Sequence, residues 1–134
     1  MPNGIVFSPN ESRPYIADTG GHAKQPDPEL RKLPDAVHCY AVGKDGELGA
    51  RLFSIDEGSD GLAVDINGHL YTPHGSRVNI HDVDRRKLEH IDVPEDPANV
   101  CFGGKDFKNL FITARTPLYS IRMTLSGAKI PGSR

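Results

Sequence analysis

Short apolar runs alternate with polar turns along the whole chain. In residues 62–66, leucine, valine and isoleucine alternate with alanine and aspartate, a period near two that indicates a β-strand. Asn67-Gly68 follows and predicts a two-residue hairpin turn, because both central residues of such a turn favour positive φ. The apolar run restarts at Leu70-Tyr71. This stretch is therefore predicted to form two paired strands.

The same strand–turn–strand pattern occurs three times. Its copies begin at Asn3, Asp60 and Ala98, and the intervals between them average about 48 residues. A propeller blade of four strands takes about 40–50 residues, so each interval has room for two more strands. The spacing predicts an all-β chain built from blades of a β-propeller.

Continuing the pattern along the chain predicts eleven strands and no helix. The predicted blades cover approximately residues 1–57, 58–95 and 96–126, and the third blade lacks its outer strand. Residues 19–35 contain three prolines and are expected to form a long surface loop, and residues 127–134 form a polar tail. The predicted strands are residues 4–9, 13–18, 37–42, 51–55, 62–66, 70–72, 78–82, 88–93, 98–102, 110–114 and 118–124.

Composition adds few constraints to this pattern. A chain of 134 residues is long enough for one domain with its own core, and its net charge of −2 gives no indication of a nucleic-acid or membrane partner. The N-terminus lacks the features of a signal peptide, so a cytoplasmic location is expected unless an export signal lies upstream. Cys39 and Cys101 lie in apolar strand patterns and are expected to be buried free thiols rather than a disulfide.

The number of blades predicts that the chain does not act alone. Propellers close with about four to eight blades, and three blades leave two blade faces and a sheet edge uncovered. We therefore expect either a missing N-terminal half or a partner, and two copies of this chain would give six blades.

Six short motifs follow one another at residues 2–9, 15–20, 59–65, 93–95, 98–104 and 110–114. In order and spacing they resemble the SMP-30/gluconolactonase/LRE-like family, closest to its bacterial gluconolactonase branch. The resemblance implies the C-terminal half of a six-bladed propeller that hydrolyses a sugar lactone with a divalent metal, calcium or zinc. It also implies that Asn3 and Asp60 are metal ligands and that Asp60 is the general base.

The residues themselves support this assignment more weakly. The first strand of each propeller blade lines the central channel, so the residues that open these strands are expected to lie together at one end. Asn3 and Asp60 are oxygen donors, which a hard cation such as calcium prefers. The alternative is that Asn-Gly and Asp-Gly only form turns before strands. Two such side chains cannot fill a calcium shell, so the chain alone is expected to be weakly active or inactive.

Loops between second and third strands should open on the same end of the channel. This places Asp18, Thr19 and His22, then His74, then Arg115, near the rim, where Asp18, His74 and Arg115 are candidates for binding the hydroxyls of a lactone. The alternative for each is a solvated loop side chain. The remaining histidines, His38, His69, His81 and His90, are expected to be surface residues of strands and turns.

Two functions remain open at this point. The first is metal-dependent hydrolysis of a sugar lactone, in which a metal-activated water attacks the lactone carbonyl and this chain carries about half the site. The second is a non-catalytic propeller fragment or interaction module that binds a partner through exposed blade faces. The enzyme needs divalent metal and Asp60 for its activity, whereas the module needs neither.

Overall fold

A computed structural model describes residues 1–21 and 26–129 of the chain. The described residues form eleven β-strands and one short 3-10 turn at Leu30–Lys32, within the loop predicted at residues 19–35. The strands are β1 (Pro2–Phe7), β2 (Pro14–Asp18), β3 (Ala36–Val42), β4 (Leu48–Ile55), β5 (Ala63–Val64), β6 (Leu70–His74), β7 (Arg77–His81), β8 (Lys87–Asp92), β9 (Pro97–Gly103), β10 (Asn109–Ala114) and β11 (Leu118–Arg122).

The strands form three antiparallel sheets that follow one another along the chain. The first contains β1 to β4, the second β5 to β8 and the third β9 to β11, and neighbouring strands in sequence are neighbours in each sheet. Each sheet is therefore the simple meander of a propeller blade. The all-β prediction is confirmed, as are two four-stranded sheets and a third sheet of three strands.

Two apolar cores hold the sheets against one another, with the second sheet between the first and the third. Tyr71 and Phe102 meet across the second core with ring centroids 5.1 Å apart. The first core contains Tyr15, Ala17, Val37, Cys39, Leu62, Val64 and Leu70. The second contains Ala63, Tyr71, Val78, Ile80, Val93, Val100, Phe102, Leu110 and Ile112.

The two cysteines differ in their surroundings. Cys39 is a buried free thiol in the first core, as predicted. Cys101 is also a free thiol, but it is exposed, so its predicted burial is wrong. On β9 the buried side chains are Val100 and Phe102, and successive strand residues point to opposite faces. Cys101 therefore points away from the core.

The hairpin after β5 differs from the predicted two-residue turn. Only Gly68 has positive φ, at 83°, and its amide donates to the Asp65 carbonyl at 2.9 Å. The Asp65 amide in turn donates to the His69 carbonyl at 3.1 Å, which leaves three loop residues. The buried Asp65 carboxylate accepts the backbone amides of Asn67 and His69, at 2.9 and 3.0 Å. A side chain that binds the backbone in this way selects the longer turn.

The predicted polar tail returns to the second sheet. Gly127 forms an isolated antiparallel bridge with Asp65, and the Ala128 amide donates to the Val64 carbonyl at 2.8 Å. Residues 130–134 of the tail lie outside the described residues, as does His22. Among the helices that the structure describes, none is long and apolar enough to cross a membrane.

Candidate functional site

Asn3, on the inner strand of the first sheet, meets Asp60, which lies just before the inner strand of the second sheet. The Asn3 amide nitrogen Nδ2 donates a hydrogen bond to Asp60 Oδ1 at 3.1 Å, and both residues are exposed. Gly4 allows this approach, because a Cβ there would lie 2.5 Å from the Asp60 carbonyl oxygen and 2.9 Å from Gly61 Cα. The two predicted ligands therefore lie side by side.

The third inner strand lies against the other side of the Asp60-Gly61 dipeptide. The Gly61 amide donates to the Ala98 carbonyl at 3.2 Å. A Cβ on Gly61 would lie 1.8 Å from Asn99 Oδ1, so only glycine allows the Asn99 amide this close. The three predicted strand openers, Asn3, Asp60 and Ala98, thus form one row across the three sheets.

A cleft of about 440 Å³ opens beside this row. Asp60, His74 and Arg115 all line it, so three of the predicted site residues share one cavity. Asp35 and Asp96 line it as well, and acidic side chains therefore outnumber basic ones. This charge balance suits a cation or a neutral hydroxylated ligand better than an anion.

His74 and Arg115 each have one polar contact in the cleft wall. His74 Nδ1 lies 3.3 Å from the Gly58 carbonyl oxygen, to which its N–H tautomer can donate. The Arg115 guanidinium donates from Nη2 to Asp96 Oδ2 at 3.4 Å. Both side chains are exposed, and Arg115 remains 78% accessible. Arg115 therefore has free N–H donors for a ligand, whereas a neutral His74 that donates from Nδ1 offers Nε2 as an acceptor.

Asp18 lies at the end of β2, and its carboxylate is occupied by other groups. It accepts the Gly20 amide at 2.8 Å and pairs with the Met1 ammonium. Burial alone would raise the pKa of Asp18, but these hydrogen bonds outweigh burial and lower that pKa. Asp18 is not among the described residues that line the cleft.

A polar cluster that the sequence did not indicate lies behind the cleft, around Glu57. The Glu57 carboxylate atom Oε2 accepts hydrogen bonds from Thr72 Oγ1 at 3.1 Å and Asn79 Nδ2 at 2.9 Å. His81 Nε2 and Lys87 Nζ each lie 3.6 Å from Glu57 Oε1. Burial alone would raise the pKa of Glu57, but hydrogen bonds from His81, Asn79 and Thr72 outweigh it and lower the pKa to about 2.

His81 corrects the expectation that it is a surface histidine. Its exposed fraction is 2%, because both faces of β7 are covered. Val78 and Ile80 lie in the second core, and His81 faces Glu57 of the segment that follows β4. Asn79 and His81 alternate on one strand face, and Thr72 pairs with Asn79 across β6 and β7. Thr72, Asn79 and His81 were the sequence signal that could have indicated this cluster. Polar residues at every second position of a strand are also typical of a solvated face, however, so the signal was ambiguous.

The fold and this cleft define an all-β protein of propeller-blade sheets, with an exposed carboxylate–amide pair where the inner strands converge. The family model described as the SMP-30/Gluconolactonase/LRE-like region matches residues 1–116. The chain belongs to this family.

Curated relatives and solved structures agree with that assignment. The chain is 30% identical to lactonohydrolase oryH of Aspergillus oryzae, over 94% of this chain and 30% of that protein. It is 31% identical to the 6-deoxy-6-sulfogluconolactonase of Pseudomonas putida, over 84% of this chain and 37% of that protein. A gluconolactonase structure from Xanthomonas campestris is 29% identical with a TM-score of 0.70, over 94% of this chain and 37% of that one.

A more distant structure shares only the fold. Regucalcin of Agrobacterium tumefaciens, a calcium-binding protein, is 20% identical with a TM-score of 0.66, over 97% of this chain and 48% of that one. The chain spans about a third of the length of the curated relatives it matches.

Proposed function

We propose that this chain carries part of the active site of a lactone hydrolase, with Asp60 as the general base and a sugar lactone as substrate. The observation that carries the proposal is the hydrogen bond from Asn3 to Asp60, whose side chain belongs to the cleft that His74 and Arg115 also line. Relatives named lactonohydrolase and gluconolactonase support the reaction class.

Each polar residue of the site has a role in this proposal. Asn3 donates to Oδ1 of Asp60 and so orients the carboxylate, while Oδ2 is free to take a proton from the water that attacks the lactone carbonyl. Arg115 presents N–H donors to the lactone hydroxyls, and His74 presents Nε2 as an acceptor for a hydroxyl O–H. Asp18 is proposed as a further substrate contact from the first sheet, once its present partners release it.

The donor chemistry fits a divalent metal in part. The Asp60 carboxylate and the Asn3 side-chain oxygen would hold the ion, and this oxygen-only set suits calcium better than zinc, which prefers nitrogen and sulfur. No group of three or more His, Cys, Asp or Glu among the described residues could hold a metal, so Asp60 and Asn3 would supply only part of the ligand shell. A bound ion would polarise the lactone carbonyl and lower the pKa of water.

The proposed site is incomplete without further protein. We propose blades at approximately residues 1–57, 58–95 and 96–126, closed into six blades either by a second copy or by a missing N-terminal half that supplies further ligands. Ile5 on β1 and Leu118 on β11 are 62% and 64% exposed, and such apolar side chains on the two end sheets favour a covering partner.

The same exposed side chains support a second candidate, a module that binds another protein through its end sheets without catalysis. The two candidates differ in what Asn3 does. A metal site loses affinity when Asn3 is removed, whereas a docking face formed by β1 and β11 does not need its amide.

Hydrolysis of gluconolactone by the purified chain, in calcium and in a chelator, tests the proposal. We expect a slow, calcium-dependent rate above buffer, and an at least tenfold higher calcium requirement in Asn3→Ala. Asn67→Ala is the matched control, because that exposed amide lies at the opposite end of β5 and should leave the calcium requirement unchanged. A rate equal in calcium and chelator would contradict the metal-dependent reaction.

A further inference from the structure

Residues 56–62, here called the crossover segment, join β4 to β5 and carry Asp60. The segment contains no strand residues, so its position depends on its side-chain and backbone contacts. Ser59 is 5% exposed, and its hydroxyl donates to the Gly61 carbonyl at 2.5 Å, which folds residues 59–61 into a compact unit. Any displacement of Ser59 therefore moves Asp60.

Glu57 anchors this segment to the second sheet. Its carboxylate contacts Thr72 on β6, Asn79 and His81 on β7, and Lys87 on β8. One side chain thus touches three of the four strands of the second sheet. The anchor stands three residues before Asp60 and outside the set of residues that line the cleft.

The Glu57 cluster stabilises the fold less than apolar side chains of similar size would. Within the described residues, Asn79 Oδ1 and His81 Nδ1 are buried without a hydrogen-bond partner. Buried polar groups that are incompletely paired destabilise a fold relative to apolar side chains of similar size. What such a cluster supplies instead is a fixed geometry, because charge-assisted hydrogen bonds tolerate little displacement.

We propose that Glu57 is a positioning residue that fixes the crossover segment so that Asp60 meets Asn3. The inference rests on the proposed role of Asp60. Glu57 does not touch the substrate; it holds the segment against β6, β7 and β8, and the Ser59–Gly61 unit transmits that position to the Asp60 carboxylate.

Nuclear magnetic resonance of the Asn3 side-chain amide tests this directly, without lactone or metal. In Glu57→Gln we expect the Asn3 Nδ2 resonances to shift toward those of a free amide such as Asn67, and the Gly61 amide to exchange with solvent at least tenfold faster. Glu89→Gln, on the exposed face of β8, is the matched control and should change neither. A merely structural Glu57 would lower stability and leave the Asn3 resonances in place.

A second variant covers the case in which Glu57→Gln does not fold. Thr72→Val keeps the side-chain shape and removes one donor to Glu57, and it should move the Asn3 resonances in the same direction by a smaller amount. Unmoved resonances in every variant that folds would overturn the proposal. If the wild-type chain hydrolyses no lactone, Glu57→Gln can still shift the Asn3 resonances, so the two proposals fail separately.

Discussion

Two carboxylates three residues apart on the same segment have opposite surroundings. Glu57 is only 15% exposed and contacts side chains from three strands, and its pKa falls to about 2. Asp60 is exposed and accepts one side-chain hydrogen bond, from Asn3. The Glu57 carboxylate is engaged by buried protein groups, whereas Asp60 Oδ2 has no hydrogen-bond partner among the described residues and is available at the cleft.

These different surroundings suit Glu57 to a structural role and Asp60 to a chemical one. Glu57 accepts two hydrogen bonds at Oε2 and faces His81 and Lys87 at Oε1, so both of its oxygens are directed at protein groups that they hold in place. An exposed carboxylate with one orienting partner contributes little to folding and is available for proton transfer.

The largest expected effect on stability is at Glu57. Glu57→Ala leaves Thr72, Asn79 and His81 buried without their acceptor, and removing one partner of a buried charged cluster costs about 3 kcal/mol. Urea unfolding followed by circular dichroism measures this loss. A loss below about 1 kcal/mol would mean that the cluster does not stabilise the second sheet.

The dependence of the unfolding free energy on acidic pH should also reveal the contribution of Glu57. The folded pKa of Glu57, about 2, lies below its ordinary value of 4.5, so its contribution is complete above pH 4.5 and is lost as the pH falls toward 2. We expect the unfolding free energy of the wild type to fall more steeply across this window than that of Glu57→Gln. Parallel curves would show that Glu57 has no depressed pKa.

A smaller effect is expected at Gly4, where the first two sheets approach. Gly4→Ala places a Cβ 2.5 Å from the Asp60 carbonyl oxygen, and separating these backbones should cost about 2 kcal/mol and break the Asn3–Asp60 hydrogen bond. Gly49→Ala, whose nearest atoms lie at 3.3 Å, is the milder control. Equal losses in the two variants would argue against a close approach at Gly4.

Repetition made the exposed site predictable from the sequence. The repeated pattern placed Asn3, Asp60 and Ala98 at equivalent positions at the start of three inner strands. Because the first strands of propeller blades line one channel, these residues were expected to lie together, as they do. His74 and Arg115 followed from the same rule for loops, and they do line the cleft with Asp60.

The Glu57 cluster was not predictable in this way. The partners of Glu57 are Thr72 and Asn79, which lie 15 and 22 residues after it in the sequence, and His81. No short-range spacing in the sequence therefore indicates the cluster. Polar residues at alternate positions of β7 resemble a solvated face until Glu57 is known to cover them. Cys101 was expected to be buried because it stands in an apolar run. On β9, however, only the alternate residues Val100 and Phe102 are buried.

The most direct test of the account measures stability and lactone hydrolysis together in Asp60→Asn. We expect an unfolding free energy within about 0.5 kcal/mol of the wild type, because the side chain is exposed. We also expect a calcium-dependent rate at least about 100-fold lower, because the proposed general base is gone. Asp35→Asn, in the same cleft, should leave both unchanged. An Asp60→Asn chain that hydrolyses lactone at the wild-type rate would contradict the central claim.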